Sequence, residues 1–337
     1  MKLSIIVLTY NSEKYLDKCL RSIYLNMSKG DELIIIDNNS SDKTKEILKK
    51  YYKRSNTKIY LSDQNLGVSD GRNFGASISK NDFLAFIDSD IVLHKNSLEN
   101  AKKSFDNKAS SMIGLYDEIG SGLNWFVEAI REIYASKRKK NFKKQVNYKN
   151  YTTFSGGLCI IKKDIFLEYN GYSNKYDNYP SEDINFELRL IRDNKIIYFE
   201  RKFSGTHYKG KLTFKGFIKK YYKNGVAVVY LIKMAKEEKY KIPFNNQWPY
   251  LPVVLPLEIL CLVLNKYITL IPLILLILYR IIPVLFSKLK FTKKLGFLIL
   301  RIISDIVMFI SIVLNINKVY QNNDKVLGVE LANENNQ

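Results

Sequence analysis

The amino-acid sequence predicts an α/β protein with a mostly parallel central sheet, flanking helices and apolar membrane-associated helices towards its C-terminal end. Three observations predict this class: apolar runs alternate with amphipathic helical patterns, polar residues directly follow the apolar runs, and the last third is dense in Leu, Ile and Val. The chain has 337 residues, of which 46% are hydrophobic and 26% charged, so it can bury a large core. This composition excludes collagen-like, low-complexity and disordered proteins.

The early apolar runs have the composition of buried strands, because they are short and rich in Ile and Val. They are Leu3–Leu8, Glu32–Ile36, Lys58–Leu61 and Asp82–Ile87. Since helices separate them, we expect a right-handed and mostly parallel sheet that is covered on both faces.

Helical spacing of apolar residues predicts a helix between each pair of successive strands. Asn11 or Ser12 is the expected N-cap of the first helix. The predicted helices are 12–26, a second helix capped by Ser40 or Ser41, and Val68–Ser79. Sheets of this kind bind ligands beyond the carboxyl ends of their strands, so function is expected just after each strand.

Polar side chains occupy those positions. Thr9 and Asn11 follow the first strand, Asp37 follows the second, and Asp88 and Asp90 follow the fourth. For Asp37, an ordinary turn or helix cap is an equally good interpretation. Two carboxylates held two residues apart repel each other, and a bound divalent cation offsets that repulsion. Asp88 and Asp90 therefore indicate a metal site.

A second acidic motif opens a later helix. Gly156 and Gly157 precede an apolar strand at Leu158–Ile161, and Glu182 and Asp183 then begin a helical pattern. The helix dipole favours acidic residues in a first turn. Taken alone, the pair favours that structural interpretation.

Together these motifs resemble the ordered motifs of family 2 glycosyltransferases. The resemblance covers roughly residues 1–225 and rests on Ser4–Asn11, Ile36–Asp42, Asn65–Asn73, Asp88–Asp90 and Glu182–Asp183. It implies the GT-A fold and an inverting transfer of a sugar from a nucleotide diphosphate sugar to a hydroxyl group of a glycan or lipid-linked acceptor.

The resemblance also implies a role for each motif residue. The nucleotide-sugar-binding residues would be Thr9, Asn11, Asp37, Arg72 and Asp88. Asp90 and His207 would hold a divalent metal, Mg or Mn, while Asp183 would be the general base with Glu182 assisting. A helix-surface cation at Arg72 and a purely structural histidine at His207 are the alternative interpretations.

The charge and the apolar end predict a membrane partner. With 53 Lys and Arg against 33 Asp and Glu, the net charge is +20. Such a chain is attracted to nucleic acid or to anionic lipid, and three apolar segments favour lipid, so no nucleic-acid partner is expected. The segments are Leu251–Leu264, Tyr267–Phe286 and Leu295–Leu314.

The predicted location is the cytoplasmic face of the cell membrane. The start of the chain lacks a signal-peptide pattern, and Cys19, Cys159 and Cys261 lack metal or disulfide spacing, which indicates a reducing compartment. If both later apolar segments crossed the membrane, the lysines between them would lie outside, against the positive-inside tendency. We therefore expect in-plane or re-entrant helices, with true spans as the alternative.

These expectations divide the chain into four parts. They are a nucleotide-sugar-binding half at 1–100, an acceptor-binding and catalytic half at 101–225, a membrane-associated helical region at 226–320 and a polar, disordered tail at 321–337. Two other functions stay open. A polyprenyl-phosphate glycosyltransferase needs no base because its acceptor is already a nucleophile, and a non-catalytic membrane scaffold could keep the same fold.

Overall fold

The computed structural model describes residues 1–134, 144–146, 156–175, 181–242, 284, 287 and 290–321. Two compact units are present. Unit 1 contains Met1–Ile119, Asn141–Lys209 and Ala235–Pro243, and unit 2 contains Gly120–Lys140, Gly210–Met234 and Phe244–Gln337. The sequence-based borders at residues 100 and 225 stay predictions.

The strands of the described residues form one mixed sheet. They are β1 Leu3–Thr9, β2 Glu32–Asp37, β3 Thr57–Leu61, β4 Phe83–Ile87, β5 Ile91–Leu93, β6 Ser111–Gly122, β7 Lys144–Val146, β8 Leu158–Lys162 and β9 Ile197–Leu212. Their spatial order is β3-β2-β1-β4-β8-β6-β9-β5, and β7 pairs with β9.

Strand direction changes in the middle of this sheet. β1 is parallel to β2 and β4, and β2 is parallel to β3, which confirms the predicted α/β arrangement of the first ninety or so residues. From β4 onwards the pairs β4–β8, β8–β6, β9–β5 and β9–β7 are antiparallel. The apolar pattern predicts buried strands in both halves but carries no information on their direction.

The helices are divided between the two units. Those in unit 1 are α1 Leu16–Asn26, α2 Thr44–Lys49, α3 Gly67–Ser77, α4 Ser97–Ser104, α6 Lys163–Glu168 and α7 Glu182–Arg192. Those with residues in unit 2 are α5 Asn124–Tyr134, α8 Phe214–Glu237 and α9 Phe291–Gln321. The core of unit 1 is built from aliphatic residues of the strands and of the inner face of α1.

The predicted N-cap of α1 is wrong. The helix begins at Leu16, and no side chain caps it. Ser12 donates its backbone N–H to Thr44 Oγ1 at 2.8 Å, and Asn11 Oδ1 accepts from the Ser41 backbone N–H at 2.9 Å. Asn11 therefore ties the loop after β1 to the loop after β2, and Ser12 ties it to the first residue of α2.

Unit 2 has its own apolar core, in which α5, α8 and α9 meet through Phe126, Phe217 and Phe297. In the described part of the chain, Thr292–Ile316 is the helical stretch long and apolar enough to cross a membrane. Leu251–Leu264, all of Tyr267–Phe286 except Val284, and the tail after residue 321 lie outside the described residues.

Candidate active site

The first part of the site is a pair of polar residues at the ends of β1 and β2. Thr9 and Asp37 are fully buried partners in the parallel ladder. Asp37 Oδ2 accepts from the Ser40 backbone N–H at 3.0 Å. Within the described residues, neither Thr9 Oγ1 nor Asp37 Oδ1 has a hydrogen-bond partner. Since buried polar atoms are nearly always paired, these two indicate a ligand at the strand ends.

Arg72 connects the two acidic motifs. Its guanidinium donates to Asp88 Oδ1 at 2.7 Å and to Glu182 Oε1 at 3.0 Å, and it lies over the Tyr172 ring at 5.5 Å. Burial lowers the pKa of Arg72, but the charges of Asp88 and Glu182 outweigh this effect and raise it. Arg72 is 8% exposed, so the helix-surface interpretation is wrong.

Asp183 is a half-buried carboxylate in the first turn of α7. Its Oδ2 accepts from the Gly156 backbone N–H at 2.9 Å, and its Oδ1 accepts from the Ile184 backbone N–H at 2.7 Å. Burial and the neighbouring charge of Glu182 raise the pKa of Asp183 to about 7. Because a helix dipole alone would lower this pKa, dipole complementation does not explain the residue.

The structure brings Asp90 and His207 together, although 117 residues separate them. β5 pairs with β9 so that Ile91 lies opposite His207, and His207 Nε2 lies 3.0 Å from Asp90 Oδ2. Two neighbouring ligands of a six-coordinate ion with bonds of about 2.1 Å are separated by a similar distance. The pair therefore fits a metal, although the described residues contain no cluster of three or more His, Cys, Asp or Glu side chains suited to one.

Glu118 is a site residue that the sequence motifs do not reveal. Its side chain is 3% exposed, its Oε1 lies 3.6 Å from His207 Nδ1, and it forms an ion pair with Lys209. An acidic residue behind a histidine fixes the orientation of the ring. Glu118 lies in the middle of the long strand β6, and no motif marks that position in the sequence.

Gly156 and Gly157 stand out in the sequence, but their role depends on the fold. A Cβ atom on Gly157 would lie 2.0 Å from Asp88 Oδ2, and one on Gly156 would lie 2.7 Å from Asp183 Cβ. The glycine pair therefore makes room for both carboxylates. A double glycine directly before a strand is the signal that the sequence offers for this role.

Comparison with known families gives two matches. Residues 4–169 match the model for glycosyl transferase family 2, and residues 137–208 match the N-terminal domain of galactosyltransferase. The first range contains every predicted nucleotide-binding residue and Asp90.

Several bacterial glycosyltransferases resemble this chain. Glycosyltransferase GlyG of Streptococcus pneumoniae is 26% identical over 222 residues, which is 60% of this chain and 72% of GlyG. Glycosyltransferase GlyA of the same organism is 32% identical over 116 residues, or 34% of this chain and 17% of GlyA. Poly(ribitol-phosphate) beta-N-acetylglucosaminyltransferase TarS of Staphylococcus aureus is 33% identical over 34% of this chain and 20% of TarS. The match therefore spans a small part of GlyA and TarS.

Solved structures show the same fold. TarS residues 1–349 align over 69% of this chain and 65% of that chain, with a TM-score of 0.52 and 22% identity. The mannosyltransferase PcManGT of Pyrobaculum calidifontis, solved with GDP-Man and Mn2+, aligns over 93% and 86%, with a TM-score of 0.62 and 14% identity. Residues 4–169 of the chain therefore carry a glycosyl transferase family 2 domain, and the fold is GT-A.

Proposed function

We propose that this enzyme moves a sugar, with inversion, from a nucleotide diphosphate sugar to a hydroxyl group of a glycan or lipid-linked acceptor at the cytoplasmic membrane face. The observation that carries the proposal is the Asp183 carboxyl group, whose pKa of about 7 suits a general base. TarS, which is named for its action on poly(ribitol phosphate) and has been solved with UDP-GlcNAc, supports a polymer acceptor and a nucleotide-sugar donor.

The donor end of the reaction is assigned to the strand ends. The free acceptor atoms of Thr9 and Asp37 would receive hydrogen bonds from the nucleoside, whose ribose carries two hydroxyl donors. Asp88, held by Arg72 at 2.7 Å, would accept from the ribose beside them. Asn11 is also assigned to the donor, although its side-chain oxygen already binds the loop after β2.

The transfer itself is assigned to the acidic pair. Asp183 would take the proton of the acceptor hydroxyl as that oxygen attacks the sugar carbon from the face opposite the leaving diphosphate. Glu182 raises the pKa of Asp183 and, through its 3.0 Å contact with Arg72, keeps the pair in place. Asp90 and His207 are assigned to an Mg or Mn ion, which when bound supplies positive charge for the leaving diphosphate.

The proposal is tested by incubating the purified chain, in detergent with lipid, with a panel of nucleotide sugars and Mn or Mg. We expect release of nucleoside diphosphate from one donor class and a product with the opposite anomeric configuration. No release from any donor with any acceptor extract would favour the scaffold alternative. If sugar is transferred only to a polyprenyl phosphate, and Asp183→Asn transfers it as fast as the parent chain, the phosphate-acceptor alternative is favoured.

Two histidine variants test the metal assignment. His207→Ala is expected to raise the Mn concentration for half-maximal Mn binding, measured by electron paramagnetic resonance in the presence of nucleoside diphosphate, about tenfold. His94→Ala is the matched control, because His94 is exposed and its ring bonds to the hydroxyl groups of Ser204 and Thr206. Equal Mn titrations for both variants would show that His207 is not a metal ligand.

Gly157→Ala is expected to weaken nucleoside diphosphate binding at least tenfold, or about 1.4 kcal/mol. The added methyl group would overlap Asp88 Oδ2, and the backbone is held there because Asp88 donates its N–H to Gly157 O at 2.9 Å. The carboxylate must therefore move away from Arg72. Calorimetric titration measures the effect, and Gly210→Ala, where a Cβ meets no atom within 4 Å, is the control. Unchanged affinity in Gly157→Ala would mean that Asp88 does not position the donor.

A further inference from the structure

The last helix has its polar and apolar sides reversed. On α9 an aliphatic stripe runs at intervals of three or four residues and is 46% to 56% exposed. The stripe consists of Leu295, Ile299, Ile302, Ile306, Ile310 and Val313. The opposite side carries polar residues that are at most 6% exposed: Arg301, Ser304, Asp305, Ser311 and Asn315. A helix in water shows the reverse pattern, so the stripe indicates an apolar surrounding medium.

The polar side of α9 is bound to α8. Ser311 Oγ donates to Tyr222 O at 2.7 Å, and Asn315 Nδ2 donates to Tyr222 Oη at 3.0 Å. A Cβ on Gly225 would lie 2.7 Å from Met308 O, so this glycine allows the two backbones to approach closely. Arg301 and Asp305 form an ion pair at 3.6 Å on the same side. The buried polar side therefore has partners within unit 2, whereas the stripe is exposed.

The two helices run in the same direction. Phe217 and Phe297 both contact the Phe126 ring, at centroid distances of 5.5 and 4.9 Å, near the beginning of α8 and α9. Further along, Lys233 Nζ donates to Val319 O at 3.1 Å. Residues 217–233 of α8 therefore accompany residues 297–319 of α9.

This pairing disfavours a membrane crossing. If α9 crossed the bilayer, Lys223 of α8 would enter the hydrocarbon, because Gly225 beside it packs against Met308, well inside the apolar stretch Thr292–Ile316.

We infer that α8 and α9 lie together in the plane of an anionic membrane surface, with the aliphatic stripe of α9 inserted in the acyl region. Positive charge for the lipid headgroups comes from Lys290 just before α9, from Lys293 and Lys294 in its first turn, and from Lys215 and Lys219 on α8. The inference deepens the membrane location in the proposed function and rests on that location, but not on the sugar chemistry.

Vesicle flotation of the full chain tests the stripe. The double variant I302E/I306E is expected to partition at least tenfold more weakly onto phosphatidylglycerol vesicles than the parent chain. The matched control L25E/L167E makes the same change at two exposed leucines of unit 1, 87% and 50% exposed, and should partition within twofold of the parent. A different result would overturn the inference: I302E/I306E still binds vesicles, and the parent chain is a dimer that the double substitution converts into a monomer. A second copy of the chain would then cover the stripe.

Cysteine labelling tests the orientation. A single cysteine is placed at either end of the apolar stretch, as Thr292→Cys or Ile316→Cys. The background chain carries Cys261→Ser, and Cys19 and Cys159 can stay because they are buried. We expect an impermeant maleimide to label both positions in inside-out vesicles and neither in sealed cells. Labelling of the two positions from opposite sides would mean that α9 crosses the membrane. Donor hydrolysis by the same preparations is measured separately, so a failed catalytic assignment is not confused with a failed orientation.

Discussion

Asp183→Asn is expected to reduce glycosyl transfer by about 10² to 10⁴ while leaving nucleotide-sugar affinity nearly unchanged. The amide can keep the hydrogen bond from the Gly156 backbone N–H at 2.9 Å, but it cannot take a proton from the acceptor. Rapid-quench transfer assays and donor titrations measure the two quantities. Asp164→Asn is the matched control, because Asp164 also lies in a first helical turn and also accepts from the next backbone N–H, at 2.7 Å.

The pH dependence separates a catalytic role from a structural one. Because a base acts in its ionised form, transfer by the parent chain should rise with pH through about 7 and then level off. The folded carboxyl group keeps its proton up to about 7, whereas its ordinary pKa is 3.8, so folding takes up a proton between these values. Stability therefore falls as pH rises from about 4 to 7 and stays lower above it.

Asparagine lacks this titration. The melting temperature of Asp183→Asn minus that of the parent chain should therefore be larger at pH 8 than at pH 4. Thermal unfolding at the two pH values measures the comparison. A variant that loses activity and also loses stability at pH 8 would instead indicate that Asp183 mainly holds the structure together.

Arg72→Met is expected to lower the free energy of unfolding by about 3 kcal/mol and to abolish most donor binding. The substitution keeps much of the side-chain volume but leaves Asp88 and Glu182 without their shared cation. The expected loss is at the lower end for a broken buried pair, since the Asp88 side chain is 36% exposed. Urea unfolding at pH 7 measures it.

Two comparisons isolate the charge of Arg72. Arg21→Met breaks the exposed pair with Asp17, at 2.8 Å and 70% exposure of the arginine, and should cost less than about 1 kcal/mol. Arg72→Lys should restore only part of the stability, because one ammonium group lacks the planar fork that reaches both carboxylates. A loss in Arg72→Met no larger than in Arg21→Met would contradict the bridging role.

The first strands and the site loops were predictable from local pattern. The runs of Ile and Val at β1, β2, β3 and β4 specify buried strands, and in a parallel sheet the residues after them necessarily share one edge. For that reason the strand pattern was enough to predict that function lies at the strand ends, and the fold pairs Thr9 with Asp37 there in adjacent strands.

The helix starts were less predictable, because polar residues at a loop can bond either to the next helix or to another loop. Asn11 and Ser12 are residue types that often cap helices, yet they bind the loop after β2 and the first residue of α2. The choice depends on how near the second loop lies, which is a tertiary property.

The sequence by itself determined the α/β class, the family and the residues to examine, since strand composition and short motifs are local. Only the tertiary structure decided that Arg72 joins Asp88 to Glu182, which is 110 residues away, and that Glu118 lies behind His207. It also decided which side of α9 is covered. Burial and electrostatic coupling arise between segments distant in the chain, so they appear only when the chain is folded.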